Sequence, residues 1–455
     1  MFLKIRRTMF IKNLQVTLLV LFLFSAVGLS AQDSDAPRIL DLETCIKIAL
    51  DKNLDIKRAR NDALIASSNH RQSKFEFYPN VNATIDYGLQ NGLQIDPTTG
   101  TAGTENTQLS NPRINASIPI YQGRSITNTY QRNKMLSDAS QLDIASSIDN
   151  TEISITGFYL QVLLSKENIK ISEERIKLLE GQLERAEKRV ELGVENNQQV
   201  YNLKSQIANE KLTLVTVNNT FFQNKLLLLQ QLLLDPTEDY EIVGVEIEDE
   251  EVRHEALPYK DYYNQAEEYS PALKSAELGI NASKKDYEIA KAGGIPSFNG
   301  FLSYSSQYWD VINVDGNEDF LSQMKDNKTA FAGVSLNIPI FNNYRVKNNM
   351  AVAKINMDNA NLALEQAEID LHNRLQQAYL DLLTALSTYN ASVENYEALD
   401  QAFRFSETSY KSGNADFYSY IEALNNKNRA ELEINNAKYS IVFRKRILDV
   451  LSGNE

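Results

Sequence analysis

Cysteine is almost absent from this 455-residue chain. The single residue, Cys45, rules out an internal disulfide framework and reads as a small buried apolar side chain. Histidine is nearly as scarce. Only His70, His254 and His372 occur, none at metal-ligand spacing to another. A metal centre and a Ser-His-Asp grouping therefore both lack their parts. No glycine-rich phosphate loop is present. We assign no catalytic residue, no metal ligand and no cofactor. Glycine and proline are few, at 18 and 10, and 23% of residues are charged, which excludes a disordered chain and a helical membrane protein.

Long apolar runs are missing too, with one exception. Leu14 to Leu29 follows the basic lead Lys4, Arg6, Arg7 and Lys12 and precedes Ser30-Ala31-Gln32. This pattern predicts a secretory signal over residues 1–31, cut after Ala31. No cysteine follows it closely, so no lipid anchor is expected. Its removal takes the net charge from −14 to −18. An exported acidic chain is a poor partner for nucleic acid.

What is present is written twice. Ile118-Pro119-Ile120-Tyr121 returns 220 residues later as Ile338-Pro339-Ile340-Phe341. The same offset carries Ile155, Val162, Ile169, Ile176, Leu183 and Val190 onto Leu375, Leu382, Tyr389, Tyr396, Phe403 and Tyr410, and Gly193 onto Gly413. Upstream the offset is 217: Pro79 meets Pro296 and Tyr87 meets Tyr304. The length change must fall between Tyr87 and Pro119, as loop tolerance predicts. The expected organisation is a first repeat over 32–235, an acidic linker over 236–257 and a second repeat over 258–455.

Each repeat ends in a helical hairpin. Ile120–Asp235 and Ile340–Glu455 contain no proline, so both windows are open to long helices. The six apolar positions from Ile155 to Val190 are seven apart, with a second row of mostly small residues three further on (Ser165, Ser172, Ala186), which is a heptad seam. Val200, Ile207, Leu214, Phe221 and Leu228 keep the period on the return arm. A helix from about Ser125 to Leu192 would be a rod of about 100 Å. Gly193 and Gly413 mark the turns.

Ahead of each hairpin lie two amphipathic strands. Val81, Ala83, Ile85, Tyr87 and Leu89 alternate with polar residues, as do Ile114, Ala116, Ile118 and Ile120. Phe298 to Tyr304 and Ala330 to Ile338 repeat the pattern. Aromatics at the ends (Tyr78, Tyr121, Tyr308, Trp309, Phe341) fit interfacial belts. Period two over about ten residues suits a transmembrane barrel, yet four strands cannot close one, and open edges in lipid are costly. Copies must share the barrel. The polar segments Gln90–Pro112 and Trp309–Lys328 are expected as external loops. Helices alone fit a structural or adhesive coiled-coil stalk of the envelope equally well; the strands favour a duct.

In its order of elements the mature chain resembles the TolC family of outer-membrane factors. Leu42-Glu43-Thr44-Cys45-Ile46-Lys47-Ile48-Ala49-Leu50 is similar to the family's opening helix, Tyr78-Pro79 and Ile118-Pro119-Ile120 to its strand boundaries, and Leu192-Gly193-Val194 to its hairpin tip. The resemblance implies a mainly α fold with membrane β: a homotrimer sharing one β-barrel, four strands per protomer, in outer-membrane lipid, continuous with a periplasmic coiled-coil tunnel. It implies a passive exit duct for efflux or type I secretion, not an enzyme, served by a periplasmic adaptor and an inner-membrane pump of RND or ABC type. Carried over, Arg189, Leu192, Gly193, Val194, Tyr410, Lys411, Ser412 and Gly413 are candidate adaptor contacts. Ser412 and Asn414 around the second glycine depart from the family's tip. Glu184, Glu187, Arg404 and Glu407 are candidates for a periplasmic gate, against the plainer reading of a solvated helix face.

Overall fold

Two rods set the frame. Helices α3 (Ser125–Glu191) and α8 (Arg345–Lys411) are each 67 residues long, about 100 Å at the α-helical rise. The computed structural model describes residues 38–95, 100, 102–194, 196–244, 247, 252, 256–312 and 318–454. The expected signal segment, 1–31, lies outside the described residues, as does much of the expected acidic linker. Each rod folds back through a short turn into a return helix, α4 (Asn197–Gln231) or α9 (Phe417–Ser452). Four shorter helices, α1 (Leu42–Lys52), α2 (Leu54–Phe75), α5 (Tyr259–Tyr269) and α6 (Pro271–Ala292), precede the strands in pairs. Three of the four starts are capped by side chains: Asp41 accepts from Thr44 N, Asn53 from Ile56 N and Ser270 from Leu273 N; α5 begins after Pro258 without such a cap.

The strand-to-helix corner has the same unusual backbone in both halves. Gly123 and Arg124 have φ of 61° and 68°; Asn343 and Tyr344 have 51° and 65°. Two consecutive left-handed residues reverse the chain from sheet into rod without a longer loop.

The heptad rows turn inward: part of each row is buried and the rest, including Ile169, Leu183, Tyr389 and Phe403, is half-buried. Ile155, Val162, Ile176, Leu375 and Leu382 are in the core, with Ser165, Ser172, Ala186, Ala378 and Ala385 beside them. One core lies where α1 crosses α3. There β1 (Arg38–Leu40) pairs in parallel with β6 (Tyr240–Ile242), over Tyr159, Leu228 and Phe443. A second packs α5 on α8 and α9 through Tyr262, Ala266, Leu375 and Leu448. A third ties the two hairpins together through Leu179, Leu203, Phe417 and Leu424.

The sheet contains the four expected strands in antiparallel order β2-β5-β7-β9: β2 (Asn80–Thr84), β5 (Arg113–Gln122), β7 (Ser297–Ser305) and β9 (Thr329–Asn337). β2 and β9 are its open edges. Four expectations need correction. The segment Gln90–Pro112 is not a loop: β3 (Tyr87–Ile95) and β4 (Ala102–Ser110) pair with β8 (Tyr308–Val311) in a three-stranded sheet. The ribbon breaks at Ile85-Asp86 opposite Asn111-Pro112, where proline has no N–H to give the ladder. Asp86 turns the chain there, pairing with Arg113 and accepting from Asn111 N through its carbonyl. The segment Trp309–Lys328 likewise contains most of β8 and a short helix, α7 (Phe320–Asp326). Trp309 is no belt residue: it is 6% exposed, and the Gln323 side chain of α7 donates to its backbone carbonyl and accepts from its backbone N–H. Finally, the two Ile-Pro-Ile motifs differ. The first lies within β5, with a bulge between Pro119 and Tyr121; the second lies past the end of β9, which has a ladder on one side only.

Candidate functional site: a two-faced sheet and two helical tips

Cross-strand register sorts the four-stranded sheet into two chemically distinct faces. Val81, Ala116, Leu302 and Ala332 line up across it on one face. Ile114 with Tyr304, and Phe298 with Leu336, extend that face along the strands. Val81, Ile114, Leu302, Val334 and Leu336 are all exposed. A contiguous exposed apolar face of this kind marks contact with lipid or another protein. The opposite face carries Asn82, Asn115, Ser117, Asn299, Ser303 and Ser335, cross-linked by Ser303 Oγ donating to Asn115 Oδ1 (2.8 Å) and Gln122 Nε2 to Asn299 Oδ1 (3.3 Å). Two phenylalanines, Phe301 and Phe331, interrupt it.

At the far ends of the rods the two turns have the same geometry. Gly193 and Gly413 have φ of 74° and 78°. Val194 N donates to Arg189 O (3.0 Å) and Gly193 N to Val190 O (2.9 Å); Asn414 N donates to Ser409 O (2.8 Å) and Gly413 N to Tyr410 O (3.1 Å). This pair of bonds is a Schellman cap, which requires the left-handed residue that glycine supplies. Asn196 and Asp416 then cap the return helices through Gln198 N and Ser419 N.

The tips differ in what they present. Leu192 and Val194 stand exposed with Gly193 between them, and Arg189, Lys411, Ser412 and Gly413 are exposed as well. Tyr410 is not: its ring stacks on Tyr420 (5.1 Å, 15°), and its hydroxyl accepts from Gln199 Nε2 (3.1 Å). Gln182 Nε2 donates to Tyr420 in the same way (3.1 Å). Both glutamines belong to the first hairpin and both tyrosines to the second, so these bonds join the two tips.

The four gate candidates all pair within the chain. Glu184 meets Lys188 (2.7 Å), Glu187 meets Lys204 (2.9 Å), Arg404 meets Asp400 (2.7 Å) and Glu407 meets Lys411 (2.9 Å). The hydrogen bond from Lys188 holds the Glu184 carboxyl below its ordinary range. Asp400, which sequence reasoning missed, is the hub of this group. It binds Lys427 (2.8 Å) as well as Arg404, and Lys427 stands over the rings of Phe403 (5.2 Å) and Tyr396 (5.8 Å). The Lys427 hydrogen bond, reinforced by Arg404, pulls Asp400 below the usual carboxylate range against its desolvation. Its spacing was a signal: Asp400 and Arg404 stand one turn apart.

Nearer the middle of the rods Arg446 bridges two carboxylates, Glu152 (2.8 Å) and Glu43 (2.9 Å). Cys45 is fully buried, and desolvation pushes its thiol up to about 12. Among the described residues no three His, Cys, Asp or Glu side chains gather as a metal site, and no helix is long and apolar enough to cross a membrane. His70 packs on Tyr130 and His372 contacts the Tyr259 hydroxyl; His254 lies outside the described residues.

Comparisons with known proteins agree on one lineage. A family model described as outer membrane efflux protein matches residues 45–233 and again 262–454, most of the chain. The fold is similar to that of CusC (TM-score 0.76, 16% identity, covering 93% of this chain and 96% of that one). It is similar to the outer membrane protein VceC of Vibrio cholerae (0.75, 13%, 91% and 97%) and to the MtrE outer membrane channel of Neisseria gonorrhoeae (0.73, 16%, 91% and 89%). Protein CyaE of Bordetella pertussis is 21% identical over 210 residues, 46% of this chain and 42% of that protein. The chain thus spans about two fifths of the curated relatives it matches. With a sheet that has one apolar and one polar face, two rods of equal length, and a family model that fits both halves, the chain belongs to the outer membrane efflux protein family.

Proposed function

We propose that the chain is one protomer of a trimeric exit duct, with the sheet in the outer membrane and the rods reaching into the periplasm. One observation carries this reading: a four-stranded sheet with an exposed apolar face, a polar face and two unpaired edges, joined directly to rods of about 100 Å. In lipid those edges need partners. Three copies supply about twelve strands, within the range of outer-membrane barrels. The apolar face then meets lipid and the polar face lines the lumen. Transport through it is passive, and an inner-membrane pump of RND or ABC type drives it through a periplasmic adaptor. The duplication of the chain gives each protomer two tips. Leu192 and Val194, with Arg189 and the exposed Lys411, Ser412 and Gly413, form the adaptor surface; Tyr410 holds the tips together. The pairs at Glu184, Glu187, Arg404 and Glu407 are exposed enough to exchange partners with a neighbouring protomer when the end opens.

The test is fractionation followed by reconstitution. The protein is expected to stay with outer membrane through a high-salt wash and to give ion conductance in planar bilayers. A monomer that stays in water without detergent would overturn the reading. For the tips, Gly193→Pro and Gly413→Pro should impair export while the protein remains in the membrane; undiminished tolerance in a strain that depends on it would remove the tip assignment.

A further inference from the structure

The polar sheet face carries Asn, Ser or Thr at most positions, and no large apolar side chain but two. Phe301 and Phe331 break that rule, and they sit together, with ring centroids 5.3 Å apart. In register, Phe301 faces Gly333 and Phe331 faces Ser303, so the rings are diagonal neighbours on one face. The bare backbone at Gly333 makes the contact possible: a Cβ there would stand 2.8 Å from Phe301 Cζ. The ring of Phe301 lies across β9 in a slot that only glycine leaves open. Phe331 nevertheless stays 61% exposed. Phe301 is the middle residue of β7, so the pair stands within the strand, away from both ends of the sheet.

We propose that Phe301 and Phe331 form an apolar girdle inside the lumen, where cargo bearing an aromatic or other apolar surface is recognised. This rests on the reading that the polar face lines a duct. Each protomer adds one pair at the same level. A ring of phenyl groups in an otherwise hydrated polar channel disfavours small hydrated ions by local dewetting. It attracts organic cations and flat rings, because the faces of the phenyl groups carry negative potential. Selection at this level would act on cargo already in the duct, independently of the pump.

The experiment uses Ser303→Cys, whose side chain would lie on the same face, directly across from Phe331. Native Cys45 is fully buried, so the new thiol is the reporter. The protein in outer-membrane preparations is labelled with a charged, water-soluble maleimide, with benzyltrimethylammonium or tetramethylammonium as competitor. We expect the benzyl cation to slow labelling roughly threefold at concentrations where tetramethylammonium does nothing. That protection should vanish in Phe331→Ser. Phe331→Leu, which keeps the apolar packing, should lose it as well. Equal protection by both cations, or benzyl protection that survives both substitutions, overturns the girdle and leaves the duct intact. A thiol that the charged reagent does not reach overturns the assignment of the polar face to the lumen, and with it the duct reading itself.

Discussion

Glu152 is a carboxylate taken out of water on α3. Its side chain is 7% exposed and Arg446 is its partner. Removing that partner strands a buried charge, which costs about 3 kcal/mol. We therefore expect Arg446→Ala to lower the thermal midpoint clearly, and Glu152→Gln in the same chain to restore part of the loss, read as a double-mutant cycle. Asp400 makes a second prediction through pH. Its folded pKa lies below the ordinary value, so its stabilising effect is present above the unfolded pKa, about 4, and is lost as pH falls through the folded one. Lys427 is raised by the same bond; its share holds below its ordinary pKa and fades as pH rises through the folded value. The midpoint difference between this chain and Asp400→Asn should therefore be largest near neutral pH and shrink toward both extremes. A difference independent of pH would show that the pair contributes packing alone.

At the scale of elements, spacing made the rods legible. An expected helix from Ser125 to Leu192 is found as Ser125–Glu191, because a heptad row, a stretch without proline and a terminal glycine all point to the same bounds. The strand faces were legible for the same reason: period two in Ile114 to Ile120 fixes which side chains share a surface. What escaped was the second sheet. Alternation runs on past Leu89 through Leu93 and Ile95, but Gly, Thr and Asn around it read as loop, and a ladder made by partners distant in sequence leaves no local mark. The bond from Gln182 to Tyr420 was invisible for that reason too: 238 positions separate its ends. The two faces of the sheet give a sharp contrast between adjacent residues. Val334→Lys puts a charge on the apolar face and should cost about 2–4 kcal/mol at mid-depth, while Ser335→Lys, one residue on, should be tolerated. Recovery of each variant in washed outer membrane checks this; equal recovery would remove the lipid assignment of the apolar face.

For the molecule as a whole, the unpaired strands β2 and β9 decide how it exists. Each shows a full row of backbone donors and acceptors on one side. If copies complete the barrel, β2 of one must pair with β9 of the next. Single cysteines placed along Asn80–Thr84 and Thr329–Asn337 should then yield disulfides between chains for one register of pairs, ending at a three-chain product on a denaturing gel. Links confined to one chain would mean that the sheet curls on itself.

An interlocking ring of this kind has a genetic price. A copy with a spoiled β2 or β9 would disable every assembly it joins rather than only itself. A cell making equal amounts of sound and spoiled chains would keep about one eighth of its ducts if three copies mix freely, so lesions at these two strands should behave as dominant poisons while lesions at the tips are buffered by healthy neighbours.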